Sequence, residues 1–254
     1  MNNQLLASVI TVCYNSEKTI AATIESVLNQ NVTDFEYVII DGKSTDTTID
    51  IVQSYKQKFV DKGIEFRWIS EPDKGIYDAF NKGVLEAKGK WISFLGSDDI
   101  YLENALNTYQ RELLENIEKT DFVHSNVNLE NKKLYKGKWN WKGFKRRMTI
   151  PHVGGFHNRD YFDNYGLFDT TYKIAGDYEL LLRAKDKLRT HWIDETTVLM
   201  SEGGVSNQQI KNTYLETTRA KIETGGLNII TAKVDYNIWM LKGFIKKIVN
   251  AIIR

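Results

Sequence analysis

The chain has 254 residues, of which 42% are hydrophobic and 26% are charged, and its formal net charge is +1. This composition is typical of a globular protein with one large or two small domains, and the near-neutral charge argues against a nucleic-acid-binding protein. The single cysteine, Cys13, excludes an internal disulfide framework and suits a reducing compartment.

The first 100 residues alternate between short apolar segments and segments with helical periodicity. Apolar, β-branched segments predict strands at 7–12, 35–41, 64–70 and 90–95. Helical spacing of apolar residues predicts helices that follow "CYNSEKT", that span 46–59 and that span 75–87. This alternation predicts an α/β fold with a mostly parallel sheet flanked by helices. Ligands of such sheets bind beyond the carboxyl ends of the strands, so the polar loops there are candidate site segments.

The second half is less regular. It predicts a helix at about 101–118, a strand in "DFVHSNVNL", a basic loop or hairpin at 132–147, short helices after "PHVGGFHNRDYF" and in "AGDYELLLRAKDK", a strand in "THWIDETTVLM" and helices from 206 onward. Because no linker is evident, residues 1–205 are interpreted as one compact unit that divides near residue 100. Residues 206–254 are predicted to form a C-terminal helical extension.

Two adjacent aspartates, Asp98 and Asp99, follow the fourth predicted strand in "SFLGSDD". Carboxylate oxygens are the ligands that hard divalent cations such as Mg²⁺ or Mn²⁺ prefer. Side chains of adjacent residues diverge in extended backbone, so one carboxylate can bind metal while the other holds a sugar or ribose hydroxyl. Gly96 leaves room for close approach. A solvated turn is the alternative, because Asp and Gly are ordinary turn residues.

Three further aspartates lie in the candidate loops. Asp41 ends the second strand in "VIIDGKSTDTT", Asp73 lies in the turn of "EPDKGIYDAFNKG", and Asp177 stands near a helix start in "AGDYELLLR". A helix N-terminus favours the ionised form of a carboxylate, which suits a general base. Capping and solvated surfaces are the competing interpretations. Glu179 lies four residues before Arg183 and is interpreted as its intrahelical partner.

In their order along the chain, "VITVCYN", "IIDGKSTDTT", "EPDKGIYDAFNKG", "FLGSDD" and "GDYELLLR" resemble the inverting family 2 glycosyltransferases of the GT-A fold. The resemblance covers roughly residues 6–205. It implies a GT-A, Rossmann-like catalytic domain with a nucleotide-sugar-binding half at 1–100 and an acceptor-binding half at 101–205. It also implies a nucleotide-sugar donor, most often a UDP-sugar, and Mn²⁺ or Mg²⁺ as cofactor.

The resemblance also implies roles for individual residues. Asp41 would contact the uridine, Asp73 would lie by the sugar or the nucleobase, and Asp98 would contact the ribose or sugar. Asp99 would bind the metal, and Asp177 would be the catalytic base. Attack opposite the leaving group would convert an α-linked UDP-sugar into a β-glycoside.

Two departures from the family pattern stand out. The family often has Glu-Asp at the base, where this chain has Gly176-Asp177. A C-terminal histidine that often completes the metal site has no clear counterpart, since the last histidine is His191 and "SEGGVS" occupies that region. His152 and Glu179 are lesser candidates for the acceptor side.

Two basic segments point to the acceptor and its location. Residues 132–147 carry eight basic and no acidic residues with interleaved aromatics, which suits a loop facing anionic lipid or a lipid diphosphate. A solvated loop is the alternative, and nucleic-acid binding is disfavoured.

Residues 234–254 predict a basic amphipathic helix whose apolar stripe is formed by Ile238, Leu241, Ile245, Ile248 and Ile252. Such a helix suits an anionic membrane surface, the catalytic domain or a second chain in a homodimer.

The combined prediction is a metal-dependent glycosyltransferase of polysaccharide biosynthesis. It would act on a glycan or polyprenyl-diphosphate-linked acceptor, in the cytoplasm and peripherally on the inner face of the cell membrane. The first residues show neither a basic n-region nor a long apolar core, so no signal peptide is predicted, and no apolar run reaches the ~18 residues of a spanning helix. The alternatives are a sugar nucleotidyltransferase, which should carry a Gly-rich phosphate loop after the first strand, and a catalytically silent nucleotide-sugar-binding protein.

Overall fold

The computed structural model describes residues 5–116, 118–130, 134–201, 203 and 209–252, with side chains described up to residue 241. The strands in these ranges are β1 Ala7–Cys13, β2 Phe35–Asp41, β3 Glu65–Ser70, β4 Trp91–Gly96, β5 Ile100–Tyr101, β6 Phe122–Leu129, β7 Leu134–Tyr135, β8 Phe156–Asn158 and β9 Thr190–Met200. The α-helices there are α1 Ile20–Leu28, α2 Thr48–Ser54, α3 Lys56–Asp61, α4 Ile76–Glu86, α5 Ala105–Asn116, α6 Trp141–Phe144, α7 Arg159–Tyr165, α8 Gly176–Leu182, α9 Ile210–Glu223 and α10 Ile229–Ile252.

The described strands form one sheet in the order β3-β2-β1-β4-β8-β6-β9-β5, with β7 paired to β6. Strands β1 to β4 pair with one another in parallel, as the alternating pattern predicts. Their helical crossovers return the chain to the same end of the sheet each time, which brings the carboxyl ends of these strands together.

The second half of the chain extends this sheet with a mixture of directions. Strand β8 pairs antiparallel with β4 and β6, whereas β6 and β9 are parallel and shift register between Ser125 and Val127. The sheet is therefore mixed overall, and its parallel portion belongs to the first half of the chain.

Helices cover both faces of the sheet because the buried strands are apolar on both sides. On β1, Val9 packs with the cluster that includes Ile24 and Tyr109, and the next residue, Ile10, packs with the cluster that includes Phe80 and Leu180. The period of two along the strand thus sends successive side chains into the two halves of the core.

Two predicted helix boundaries are wrong. The predicted helix 46–59 is two helices that meet at Tyr55, whose amide N–H donates to the carbonyl of Val52 in a tighter turn. The predicted helix 101–118 begins at Ala105, because residues 100–101 pair with β9 instead. The helical extension is broken between α9 and α10, where Gly226 has φ of +63°.

The first turns of α10 pack on the rest of the fold. Ala232 and Asp235 are buried, and Asp235 forms a salt bridge with Arg146 of the segment 132–147, called the basic segment below. Ile238 and Leu241 of the predicted apolar stripe are exposed, and the side chains of Ile245, Ile248 and Ile252 lie outside the described residues. In the described ranges, no helix has the length and apolar character needed to cross a bilayer.

Candidate active site

The predicted donor-side residues meet at the carboxyl edge of the parallel strands. In the sheet register, Cys13 at the end of β1 pairs with Asp41 at the end of β2, and Asp41 pairs with Ser70 at the end of β3. On the other side of β1, Val12 pairs with Gly96 at the end of β4. With neighbouring strands about 4.8 Å apart, the Asp41 and Gly96 backbones are roughly 10 Å apart. This spacing suits a ligand that lies across the strand ends.

Asp98 and Asp99 converge on Gly96. A methyl group at position 96 would lie 2.5 Å from Oδ2 of Asp99 and 3.1 Å from Oδ1 of Asp98. A side chain there would displace the carboxylates, so glycine is what allows both to fold back over the strand end. The backbone N–H of Gly96 donates to Asp99 Oδ2 at 3.2 Å, and that of Ser201 donates to Asp99 Oδ1 at 2.9 Å.

The electrostatic setting of Asp99 suits a cation. The residue is buried, and this burial, followed by the negative charge of Asp98, raises the pKa of the Asp99 carboxyl to about 7. Both effects disfavour the ionised carboxylate, and both are relieved when a positive charge binds beside it. A divalent cation at this pair would therefore stabilise the ionised form of Asp99.

Asp41 and Asp73 lie next to each other but differ in how they are held. Asp41 is fully buried, and its carboxylate accepts hydrogen bonds from the hydroxyls of Ser44 and Ser70. Asp73 is half-buried and accepts from the backbone N–H of Gly75 at 2.8 Å. A methyl group at Gly42 would lie 2.5 Å from Asp73 Oδ2, so the Asp73 carboxylate lies directly over the loop that follows Asp41.

Asp177 lies in the first turn of α8, as predicted, and contacts α4. Its Oδ1 accepts from the backbone N–H of Tyr178 at 2.8 Å and from the Tyr77 hydroxyl at 3.4 Å. The Tyr77 hydroxyl shares its one proton between this oxygen and the carbonyl of Ile174, which is closer at 2.7 Å, so its ring spans the start of α8. Burial, followed by the charge of Asp177, raises the Tyr77 pKa well above its usual value and keeps its hydroxyl protonated.

The Gly176 departure from the family pattern has a physical reason in the same contact. A methyl group at Gly176 would lie 2.8 Å from Cε2 of the Tyr77 ring. A glutamate there would force this tyrosine away from Asp177. The chain therefore combines a glycine before the aspartate with a tyrosine packed against it.

The backbone before Asp177 is held by the C-terminal extension. The Glu216 carboxylate of α9 accepts from the backbone N–H groups of Lys173, Ile174 and Ala175 at distances of 2.8–3.0 Å. These groups precede the first turn of α8 and have no partner within that helix. Glu216 thus fixes the entry to the helix that carries Asp177.

The two lesser acceptor-side candidates are both buried. His152 is only 8% exposed, its Nε2 is 2.9 Å from Nε2 of His157, and its ring stacks on Phe94. Burial lowers the pKa values of both histidines, so the pair is neutral. Glu179 forms the predicted ion pair with Arg183 at 2.6 Å and accepts from the Thr224 hydroxyl. These contacts account for both side chains within the fold, and their acceptor roles stay predictions.

The metal shell contributed by the chain is small. In the ranges with described side chains, no set of three or more His, Cys, Asp or Glu residues is placed to hold a metal ion. Most of "SEGGVS", where a further ligand was sought, lies outside the described residues. Mg²⁺ commonly binds one or two carboxylates together with substrate phosphates and water, and the chemistry of Asp98 and Asp99 fits that donor set.

Two residues at the site were not identified from the sequence. Tyr77 stands inside a quoted motif, but its packing on Gly176 joins residues about 100 positions apart and leaves no local signal. Glu216 also leaves no local signal, since it lies about 40 residues beyond Asp177 in a segment whose pattern indicates only a helix.

The fold and this arrangement of carboxylates define a glycosyltransferase of the GT-A type. The structure is similar to that of S. aureus TarS 1–349, with a TM-score of 0.67 and 20% identity over 91% of this chain and 69% of that one. It is also similar to the mannosyltransferase PcManGT from Pyrobaculum calidifontis, described in complex with GDP-Man and Mn²⁺, with a TM-score of 0.65 and 14% identity over 91% and 69% of the two chains.

The chain belongs to Glycosyl transferase family 2, whose family model matches residues 8–176. It is 28% identical over 213 residues to a PGL/p-HBAD biosynthesis glycosyltransferase of Mycobacterium bovis, covering 82% of each chain. It is 29% identical to the chondroitin synthase of Escherichia coli over 71% of this chain and 26% of that larger protein. The predicted family, fold and enzyme class are thereby confirmed.

Proposed function

We propose that this enzyme transfers a sugar, with inversion, from a UDP-sugar to a hydroxyl of a glycan or lipid-linked acceptor in polysaccharide biosynthesis. The observation that carries the proposal is that the fold holds a pair of adjacent carboxylates at a strand end and a separate carboxylate at a helix start. Asp98 and Asp99 converge at the end of β4, where a diphosphate and a cation suit them. Asp177 is a separate, half-buried carboxylate at the start of α8, held by Tyr77.

The donor assignment rests on the strand-end geometry and on the comparisons. TarS has been described in complex with UDP and with UDP-GlcNAc, and its fold is that of this chain. Asp41 and Asp73 would bind the nucleoside, and Asp98 the ribose or sugar. In this proposal residues 1–100 bind the donor and residues 101–205 bind the acceptor.

Mn²⁺ or Mg²⁺ is proposed as the cofactor, with Asp99 as its ligand and Asp98 beside it. When bound, the cation would neutralise the charge of the departing diphosphate. The raised pKa of Asp99 supports this assignment, because a buried carboxyl beside a second carboxylate gains most from a neighbouring positive charge.

Asp177 is proposed as the general base. Its carboxylate removes the proton from the acceptor hydroxyl while that oxygen bonds to the anomeric carbon and the bond to the diphosphate breaks. The first turn of α8 supplies the backbone N–H of Tyr178 to this carboxylate, and the Tyr77 hydroxyl lies beside it. Attack from the face opposite the diphosphate inverts the anomeric centre.

The enzyme is proposed to work at the inner face of the cell membrane, with the exposed side of α10 against anionic lipid. Val234, Ile238 and Leu241 are exposed on that helix although each is a large apolar residue. A second copy of the chain is the alternative partner for this face.

A screen of UDP-sugars with Mn²⁺ tests the function, with UDP release and the product mass as readouts. We expect UDP release from one donor to rise when the matching acceptor is added. Release of pyrophosphate from a nucleoside triphosphate and a sugar phosphate would instead identify a nucleotidyltransferase. Donor binding without transfer to any acceptor would identify a silent binding protein, and either result would contradict the proposal.

A further inference from the structure

A cavity of about 490 Å³ lies between the basic segment, α8 and the two C-terminal helices. This volume is within the range of small-molecule binding sites. Its aromatic wall consists of Tyr135, Tyr178, Tyr214, Tyr236 and Trp239. The family match ends at residue 176, so most of this wall comes from a part of the chain that the family model does not cover.

The same cavity is lined by three cations, Lys136, Arg147 and Lys221. In the part of the chain with described side chains, none of the three has a carboxylate within 4.0 Å. Lys221 is only 5% exposed, and burial lowers its pKa although the nearby Asp235 acts in the opposite direction. A buried ammonium without a close counter-ion is costly, and an anion in the cavity would relieve that cost.

The cavity adjoins the proposed base. Tyr178, which follows Asp177 in α8, forms part of the wall. Tyr135 also belongs to the wall, and its pKa is raised by burial and then by the negative charge of the Asp177 carboxylate. A molecule in the cavity would therefore lie near Asp177.

We propose that this cavity binds the phosphate-bearing part of an amphiphilic acceptor, an inference that rests on the proposed function. Arg147, Lys136 and Lys221 would hold a phosphate or diphosphate through charge-assisted hydrogen bonds. The aromatic wall would hold the sugar or the start of an apolar chain. Trp239 belongs to this wall, and Ile238 and Leu241 are exposed on the same helix, where an apolar chain that leaves the cavity would meet them.

Calorimetric titration with farnesyl diphosphate tests the site, performed with and without saturating UDP and Mn²⁺. We expect binding that persists when UDP fills the donor site. Arg147→Gln and Lys221→Met should each weaken it roughly tenfold or more, because each removes a charge from the anion site. The matched control is Lys187→Gln, an exposed lysine in the 3-10 helix Lys185–Lys187, which should leave the affinity unchanged. Arg147 is exposed, so its variant reports on binding even where Lys221→Met impairs folding.

Two further probes test whether the cavity recognises both the anionic group and the apolar chain. Inorganic pyrophosphate and farnesol should each bind at least about tenfold more weakly than farnesyl diphosphate, since each lacks one half of the recognised chemistry. If pyrophosphate bound as tightly as farnesyl diphosphate, the cavity would be a site for soluble anions, and the proposal of an amphiphilic ligand would be wrong. No binding under either condition, displacement by UDP, or unchanged affinity in both variants would overturn the location. UDP release from the donor screen is measured separately, so failure of this inference is distinct from failure of the proposed function.

Discussion

Asp99 couples metal binding to pH. Its pKa is raised from an ordinary 3.8 to about 7 by burial and by Asp98, so in the metal-free protein the carboxyl is half protonated near neutrality. A carboxyl whose folded-state pKa exceeds its unfolded value favours folding at low pH, and that contribution is lost as the pH rises from about 4 to about 7. Metal binding requires the ionised form, so it opposes this loss.

We predict that the affinity for Mn²⁺ is roughly tenfold higher at pH 8 than at pH 6, because the ionised fraction of Asp99 changes by that factor across a pKa of about 7. The measurement is the Mn²⁺ dependence of the unfolding temperature at each pH. Asp99→Asn should remove the Mn²⁺ effect, and the exposed Asp186→Asn should preserve it. A metal response that is flat between pH 6 and pH 8 would contradict the assignment.

At the scale of single elements, α9 acts on α8. We predict that Glu216→Ala lowers kcat by about tenfold or more while the KM for the donor stays the same, because the backbone that positions Asp177 loses its acceptor. The lost charge-assisted hydrogen bonds should also lower the free energy of unfolding by about 1.5–3 kcal/mol. Steady-state kinetics and urea unfolding measure the two effects.

The control for this prediction lies on the same helix. Glu223 forms an exposed ion pair with Arg219, so Glu223→Ala should change stability by less than about 1 kcal/mol and leave kcat unaltered. Glu216→Gln should restore part of kcat because its amide oxygen still accepts from the backbone. A Glu216→Ala enzyme with normal kcat would show that α9 does not position the base.

Which elements the sequence predicts depends on how local their determinants are. The strand-end loops with Asp41 and Asp98 follow from short apolar runs that stop at glycine, and these signals are contained within about ten residues. The break at Tyr55 is different, because its hydroxyl bonds to Glu25 of α1 and its ring lies in the core. The hydrogen bonds from the backbone before α8 to Glu216 are likewise tertiary contacts, and no hydrophobic periodicity in the sequence predicts them.

At the scale of the whole molecule, the exposed apolar face of α10 stands opposite a side that is anchored to the domain through Ala232 and Asp235. We predict that Leu241→Glu reduces sedimentation with phosphatidylglycerol vesicles by roughly tenfold or more, because the helix loses apolar contact and gains repulsion from the lipid headgroups. Leu241 is 59% exposed, so the unfolding temperature should change little.

Leu85→Glu is the matched control for the vesicle experiment. Leu85 is 72% exposed on α4, and its substitution adds the same charge elsewhere on the molecule. If both variants reduce vesicle binding equally, net charge rather than the α10 face governs attachment. If Leu241→Glu instead dissociates a dimer and leaves vesicle binding intact, the face joins two copies of the chain.

The proposed mechanism depends on Asp177 taking the acceptor proton while Asp98 and Asp99 serve the donor side. Its most direct test is the transfer rate of Asp177→Asn, measured together with the dissociation constant for UDP. The amide oxygen can still accept from Tyr77 and from the backbone of Tyr178, so the site should keep its shape. We predict that kcat falls by about 100-fold or more with unchanged UDP affinity, whereas Glu179→Gln keeps its turnover. An Asp177→Asn enzyme that turns over at nearly the normal rate would contradict the account.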